Sequence, residues 1–353
     1  MIGPDVNLWQ IACPSRALRA RPVSRLLSGR PVVLYRDATG RAHALQDRCA
    51  HRRAPLSAGR VRAEGLECPY HGWVYDGDGH LVRVPALPAA CDARDRAACE
   101  AAAIRVPAFA VRERQGYVWV ASRPGDAPDV EPLPFPHLGE AGWTSFRMRT
   151  RFDADVSTCL ENFLDCPHAT FVHRYWFRAP LARAVGAVIS RTDDGVQVSF
   201  TEEPREKSLV WWLLAPRGGE MTHTDRFVAP ARSQVDYGFP NGWRYSITSS
   251  CTEIDEQRTE VHTVMSFRTA GVGPLIRLYF EPLSRLIIRQ DARIIALRAR
   301  NIERFDDAGD DDATETSTQA DLLGPLVRRW RADLAAARAP GQGVAGRAIR
   351  IHL

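Results

Sequence analysis

The chain of 353 residues is 45% hydrophobic with a formal net charge of +5, enough apolar material for two buried cores. Lys207 is the only lysine, arginine supplies the rest of the positive charge, and acids are interspersed throughout, so no nucleic-acid-binding surface is expected. No stretch approaches the ~18 apolar residues of a membrane-spanning helix, and Met1–Asn7 lacks the basic and apolar regions of a secretory leader.

Short apolar runs at Pro31–Tyr35, Ala42–Leu45, Ile104–Val106, Ala110–Arg112 and Tyr117–Val120 alternate with turn signals such as Asp76-Gly-Asp-Gly79. They predict a small antiparallel β-domain over residues 1–125. Two short motifs interrupt it, Cys49-Ala-His51 and Cys68-Pro-Tyr-His71. Two thiolates and two imidazoles are the ligand set of a Rieske [2Fe–2S] centre, in which histidines replace cysteines on one iron. Structural zinc is the competing reading, although its knuckles usually read C-x2-4-C and H-x3-5-H and here each knuckle mixes the two types. Gly72 is expected to let backbone amides approach the sulfurs. Arg48, Arg52 and Arg53 beside the motif could dock an acidic electron donor, though solvated loop charges are the commoner outcome.

Arg123–Pro136 holds five prolines in fourteen residues and reads as a stiff linker into a second domain, 126–353. There, strands are expected at Met148–Asp155, Gly195–Thr201, Ser208–Leu214, Arg244–Cys251 and Glu260–Arg268, and helices near 157–175, 276–303 and 317–337. The first of these helices contains Asp165-Cys-Pro-His168 and His173. Asp165 and His168, three apart, share a helical face. His173 follows by five, so both histidines reach one ion only if the segment leaves the helix, and Pro167 is placed to cause that. Ordinary partly buried histidines remain the bland reading. The remaining cysteines, Cys13, Cys91, Cys99, Cys159, Cys166 and Cys251, show no paired spacing, and free thiols in a reducing compartment are expected. The protein is therefore expected to be soluble and cytoplasmic.

With these motifs the chain resembles the Rieske non-haem iron oxygenases, whose cluster loops read C-x-H-R and C-P-x-H-G-W and whose mononuclear iron motif reads D-x2-H-x4-H. The resemblance implies an α+β architecture: an N-terminal antiparallel β Rieske domain and a C-terminal helix-grip catalytic domain, a curved antiparallel sheet around a helix. It implies Cys49, His51, Cys68 and His71 as cluster ligands, and His168 and His173 as ligands of a mononuclear Fe(II). A third ligand from a C-terminal helix implies Asp291, within Gln290-Asp291-Ala-Arg-Ile294; as a lone acid among arginines it also reads as a salt-bridged surface carboxylate, with Glu161 as the fallback. Asp165 would bridge a ligand histidine to the cluster histidine of a neighbouring subunit in a homotrimer. Asn162 is a second catalytic candidate.

The same resemblance implies O2 as co-substrate and NAD(P)H as ultimate donor. No dinucleotide-binding glycine fingerprint or flavin motif is found, so a separate reductase, with or without a ferredoxin, is expected. The length suits the branch containing vanillate and dicamba O-demethylases, caffeine N-demethylases and an arylamine N-oxygenase. A terminal monooxygenase that hydroxylates or O-/N-demethylates a small aromatic or heterocycle is the leading expectation. Arylamine N-oxygenation, desaturation or oxidative cyclisation on the same scaffold is the alternative, and a Rieske electron carrier the remote one. Pocket candidates by position are Asn162, Leu209, Trp211, Ile247, Ser249, His262 and Leu283.

Overall fold

The structure, a computed structural model, describes residues 6–86, 104–174, 184–201, 214, 219–307, 315–336, 338–341 and 346–352. The chain divides into two compact units, Asn7–Pro134 and principally Phe135–Leu353, so the division falls within the proline-rich segment.

The first unit is built from β1 (Trp9–Pro14), β2 (Val23–Leu27), β3 (Arg30–Arg36), β4 (Ala42–Gln46), β5 (Arg60–Arg62), β6 (Gly65–Glu67), β7 (Val74–Tyr75), β8 (Leu81–Arg83), β9 (Ala108–Arg114) and β10 (Tyr117–Pro124). They form a six-stranded antiparallel sheet ordered β1-β10-β9-β4-β3-β2 and a four-stranded one ordered β5-β6-β7-β8. Alternate residues of β3 face opposite ways. Val32 and Leu34 enter one core with Val118 and Val120, while Val33 and Tyr35 enter another with Leu66 and Tyr75 of the smaller sheet. A strand covered on both faces needs a continuous apolar run rather than an alternating one, which is what Pro31–Tyr35 supplies. Cys49 and Cys68 are rooted in that second core. Ile104–Val106 is not a strand; Arg105 makes only an isolated bridge to His80.

The second unit contains β11 (Thr144–Phe152), α1 (Val156–Leu164), α2 (His168–Val172), β12 (Ala184–Thr192), β13 (Gly195–Thr201), β14 (Thr222–Val228), β15 (Arg232–Gly238), β16 (Arg244–Asp255), β17 (Arg258–Arg268), α3 (Gly273–Asp307), α4 (Gly324–Ala335) and β18 (Arg347–His352). Its sheet has eight antiparallel strands ordered β11-β17-β16-β15-β14-β13-β12-β18. Helix α1 crosses β14 to β17 and meets α4, and α3 runs against β11. Phe280 pins α3 to the sheet, edge-on to Phe267 (ring centroids 4.9 Å apart) and to Tyr245 (5.5 Å). Truncating so deeply buried an aromatic to alanine costs about 3–5 kcal/mol. This is the expected α+β architecture. The helix expected over 317–337 begins only at Gly324: Asp321 accepts hydrogen bonds from the Thr318 amide and hydroxyl, and that turn holds the preceding residues out of the helix. The strand expected at Ser208–Leu214 lies, Leu214 apart, outside the described residues. Among the described residues no helix is long and apolar enough to cross a membrane, and the described cysteines form no disulfide.

Candidate cluster loops and metal centre

The two cysteine loops of the first unit share one backbone plan. The Cys49 amide donates to the Ala54 carbonyl, five residues on, and the Arg53 amide returns to the Cys49 carbonyl. In the second loop the Cys68 amide donates to Trp73, again five on, and Gly72 returns to Cys68. The residue four after each cysteine is left-handed, Arg53 at φ 61° and Gly72 at φ 71°. Glycine suits the second for two reasons, since a Cβ there would also meet the Pro85 ring at 2.9 Å. The matched turns bring His51 and His71 together with ring centroids 4.6 Å apart, and Trp73 stacks flat on His51 at 4.6 Å. Backbone amides of Tyr70 and His71 point at the Cys68 sulfur, while burial, the larger influence, raises its pKa. The Tyr75 hydroxyl lies 3.2 Å from Cys49 Sγ and accepts from the Ala50 amide at 3.2 Å. Burial, reinforced by the Cys49 sulfur, keeps that phenol protonated. The His51 Nδ1 atom is buried without a hydrogen-bond partner. Two sulfurs and two imidazoles so arranged fit a binuclear cluster: the inner pair is rooted in the core, and an otherwise unsatisfied ring nitrogen gains a partner.

In the second unit the Asp155 side chain caps α1 through the Ser157 and Thr158 amides. Asp165 ends α1 in extended conformation (φ −89°, ψ 92°), Pro167 starts α2, and the helix expected over 157–175 is thereby broken in two. His168 opens α2 and His173 follows its last residue with non-helical backbone (φ −110°, ψ 35°), so the two rings flank one short helix. Asp291, on α3, meets both: its Oδ1 lies 2.9 Å from His173 Nε2 and 3.4 Å from His168 Nε2. The surface salt bridge that remained open for Asp291 is not what forms, for the residue is 5% exposed and faces two imidazoles. Glu161 is not part of this group; it pairs with Arg328 at 2.8 Å, and burial pushes its carboxyl up to about 7.

The far ring nitrogens fix the tautomers. His173 Nδ1 donates to Gln290 Oε1 at 2.9 Å, and His168 Nδ1 donates to the Asp165 backbone carbonyl. Both Nε2 atoms are therefore bare lone pairs in the neutral rings. Asp291 Oδ1, which they flank, is buried without a hydrogen-bond donor of acceptable geometry. Three groups able to act as acceptors converge within 4.8 Å of one another, and such a group is satisfied by a cation. The electrostatics show the same demand for positive charge: burial acts to lower the His168 pKa, but Asp291 and Asp165 together outweigh it and the net shift is upward. Burial likewise acts to raise Asp291, and the two imidazoles hold it down at about 2. Two imidazoles and a carboxylate with room beside them suit Fe(II).

A cavity of about 120 Å³ opens beside this group, the same order as an engineered apolar cavity of about 150 Å³ that takes up benzene. Its wall includes Asn162, Asp165, Ile247 and Ser249 but neither His262 nor Leu283. Thr263 and Met265 on β17 face it, so His262, between Val261 and Thr263, turns to the opposite face and lies 3.1 Å from Glu260. Leu283 packs against the core instead. Leu209 and Trp211 lie outside the described residues. The Asn162 side-chain nitrogen is buried without an acceptor. The wall also holds His223 and Asp225 of β14, which the sequence reading missed: T-H-T-D-R reads as a solvent-facing strand, and nothing in the residue types marks its polar positions as inward.

Residues 8–109 match the model of the Rieske [2Fe-2S] domain, and residues 152–337 match that of the vanillate O-demethylase oxygenase C-terminal domain. The chain is 35% identical over 286 residues to aminopyrrolnitrin oxygenase PrnD of Pseudomonas fluorescens, a match spanning 74% of this chain and 75% of that protein. It is 35% identical over 222 residues to the chloroplastic protein TIC 55 of Arabidopsis thaliana, spanning 62% of this chain but only 38% of the relative. Its fold is similar to that of dicamba monooxygenase bound to dicamba, with a TM-score of 0.75 and 21% identity over 94% of this chain and 98% of the other. A Rieske domain followed by this catalytic domain on a single chain is decisive for ancestry, and the protein belongs to the Rieske non-haem iron oxygenases, in the branch of the vanillate O-demethylase oxygenase components.

Proposed function

We propose that the chain is the terminal oxygenase component of a Rieske monooxygenase that hydroxylates, or removes an O- or N-methyl group from, a small aromatic or heterocyclic compound. The observation that carries this is the convergence of His168, His173 and Asp291 beside a cavity of one-ring size. Cys49, His51, Cys68 and His71 hold the cluster, and His168, His173 and Asp291 hold the iron. When bound, the cluster passes single electrons and the ferrous ion, with positions left open, activates O2. Gln290 and the Asp165 carbonyl keep the ligand nitrogens aimed, as partners behind a ligand do. Since the Asp165 backbone carbonyl, rather than its carboxylate, accepts the hydrogen bond from His168 Nδ1, the carboxylate is left for a second imidazole, the cluster histidine of a neighbouring subunit. Asn162 orients the substrate from the cavity wall.

A homotrimer is supported by the apolar side chains that α3 leaves exposed, among them Leu275, Leu278, Tyr279, Ile294 and Leu297. Electrons come from NAD(P)H through a separate reductase and a ferredoxin; Arg48, Arg52 and Arg53, all exposed beside the cluster loops, suit an acidic donor. A reducing compartment such as the cytoplasm keeps the thiols free. Arylamine N-oxygenation is the second reading, favoured by the match to PrnD over three-quarters of both chains.

Purified trimer, reductase and NADH, incubated with methoxy-, N-methyl- and amino-substituted aromatics under 18O2, test the assignment. Formaldehyde release or isotope in an organic product is expected. NADH oxidation that never depends on an added aromatic, with no labelled product, would overturn it. Tyr75→Phe is expected to leave the cluster assembled but lower its reduction potential, because a hydrogen bond to a ligand sulfur favours the reduced form. In voltammetry the shift is about 60 mV for each tenfold change in the equilibrium; an unmoved potential removes Tyr75 from any tuning role.

A further inference from the structure

The cavity wall holds a second charged group that the proposed ligand set leaves unused. His223 and Asp225 lie two apart on β14, so they share a face of the strand. Both line the cavity, and both are almost wholly buried. His223 Nε2 lies 2.8 Å from Asp225 Oδ1. The imidazole is sandwiched between Phe200 and Tyr237, with ring centroids 4.4 and 4.3 Å away and planes inclined by only 18° and 22°. Aromatic faces on both sides hold the ring, and the ring holds the carboxylate. Cys166, with its sulfur within 4.8 Å of the pair, adds only a weak donor.

A buried carboxylate costs free energy unless its oxygens are satisfied. The bond from His223 serves one oxygen of Asp225, and an ionised carboxylate has capacity for several more. The charge of the wall points the same way. Among its described residues are three carboxylates, Asp165, Asp225 and Asp291, and no arginine or lysine. The ion proposed at Asp291 offsets that carboxylate, but a substrate carboxylate or sulfonate placed at Asp225 would still meet like charge, with no arginine or lysine among the described wall residues to pair it. An N–H or O–H group on the ring would meet a rigid acceptor.

Resting on the reading that substrate occupies this cavity, we propose that Asp225, positioned by His223, is the specificity-determining acceptor for a hydrogen-bond donor on the substrate. The preferred class is an arylamine or phenol, and aryl carboxylates are disfavoured.

The test is equilibrium binding to the iron-loaded, unreduced trimer by calorimetry, with aniline against toluene, phenol against anisole, and benzoate as the anion. Aniline and phenol are expected to bind at least about tenfold more tightly than their partners, the scale of one hydrogen bond to a charged acceptor, with benzoate weakest. In Asp225→Leu the preference should shrink to within about twofold while three irons per chain are retained. Equal binding of aniline and toluene, benzoate binding best, no measurable binding of amine or phenol, or a preference surviving in Asp225→Leu would each overturn the proposal. So would a fourth metal ion lost with Asp225. The comparison on the unaltered protein stands even if the variant does not fold. Failure of turnover with reductase, by contrast, would sink the oxygenase assignment and leave the binding order untouched.

Discussion

Asp165→Asn is expected to yield a protein with both metal centres filled and NADH-driven product formation down by at least about 10- to 100-fold, the range for partners behind a metal ligand. The substitution keeps shape and removes charge. His168 Nδ1 donates its hydrogen bond to the Asp165 backbone carbonyl, which asparagine retains, so the ligand imidazole stays aimed and iron stays bound. What is lost is the carboxylate, which lies 3.9 Å from His168 Nδ1, with its side chain 41% exposed, and is thereby available to an imidazole of another subunit. An asparagine oxygen can still accept from that imidazole, but without the charge that makes such a bond strong. The measurement is a pair: iron content with the reduced-cluster paramagnetic signal, and single-turnover product from enzyme whose cluster has been reduced beforehand. Normal product with a normal signal would remove Asp165 from the electron path.

Asp291→Ala is expected to be the most damaging single change at the mononuclear site. It leaves two imidazole nitrogens facing a void and takes away the only acid among the three acceptors. Iron should fall from three to two per chain, the cluster spectrum should persist, and product should become undetectable. Zinc can occupy such ligands during purification, so iron is to be counted after anaerobic reconstitution. Retention of the third iron would transfer the carboxylate role elsewhere. Glu161 is a poor successor: burial raises its carboxyl to about 7, so it is only partly ionised at pH 7, and its partner is Arg328.

What could be read in the residues and what could not divides along physical lines. That the loops of Cys49-His51 and Cys68-His71 meet was legible because four strong donors in two short motifs leave few chemical alternatives. The break in the 157–175 helix, at Asp165–Pro167, was legible because a proline inside a helical pattern interrupts it. Asp291 was legible only through resemblance; nothing local separates a carboxylate turned inward from one paired with a neighbouring arginine. Strands β12, β14, β15 and β18 went unread. In β14 the inward positions are occupied by His223 and Asp225, which inverts the apolar-in, polar-out alternation on which strand detection depends. The same inversion concealed the polar half of the cavity. Binary patterning fails where a buried face is reserved for chemistry.

The twin turns around Cys49 and Cys68 bear on how fast charge can be handed over. Each turn is closed by the same two backbone bonds and rooted between two sheets. Gaining or losing an electron there asks almost nothing of the polypeptide, since the dipoles around the sulfurs are already set. Hops should therefore be limited by distance and driving force rather than by rearrangement of the fold.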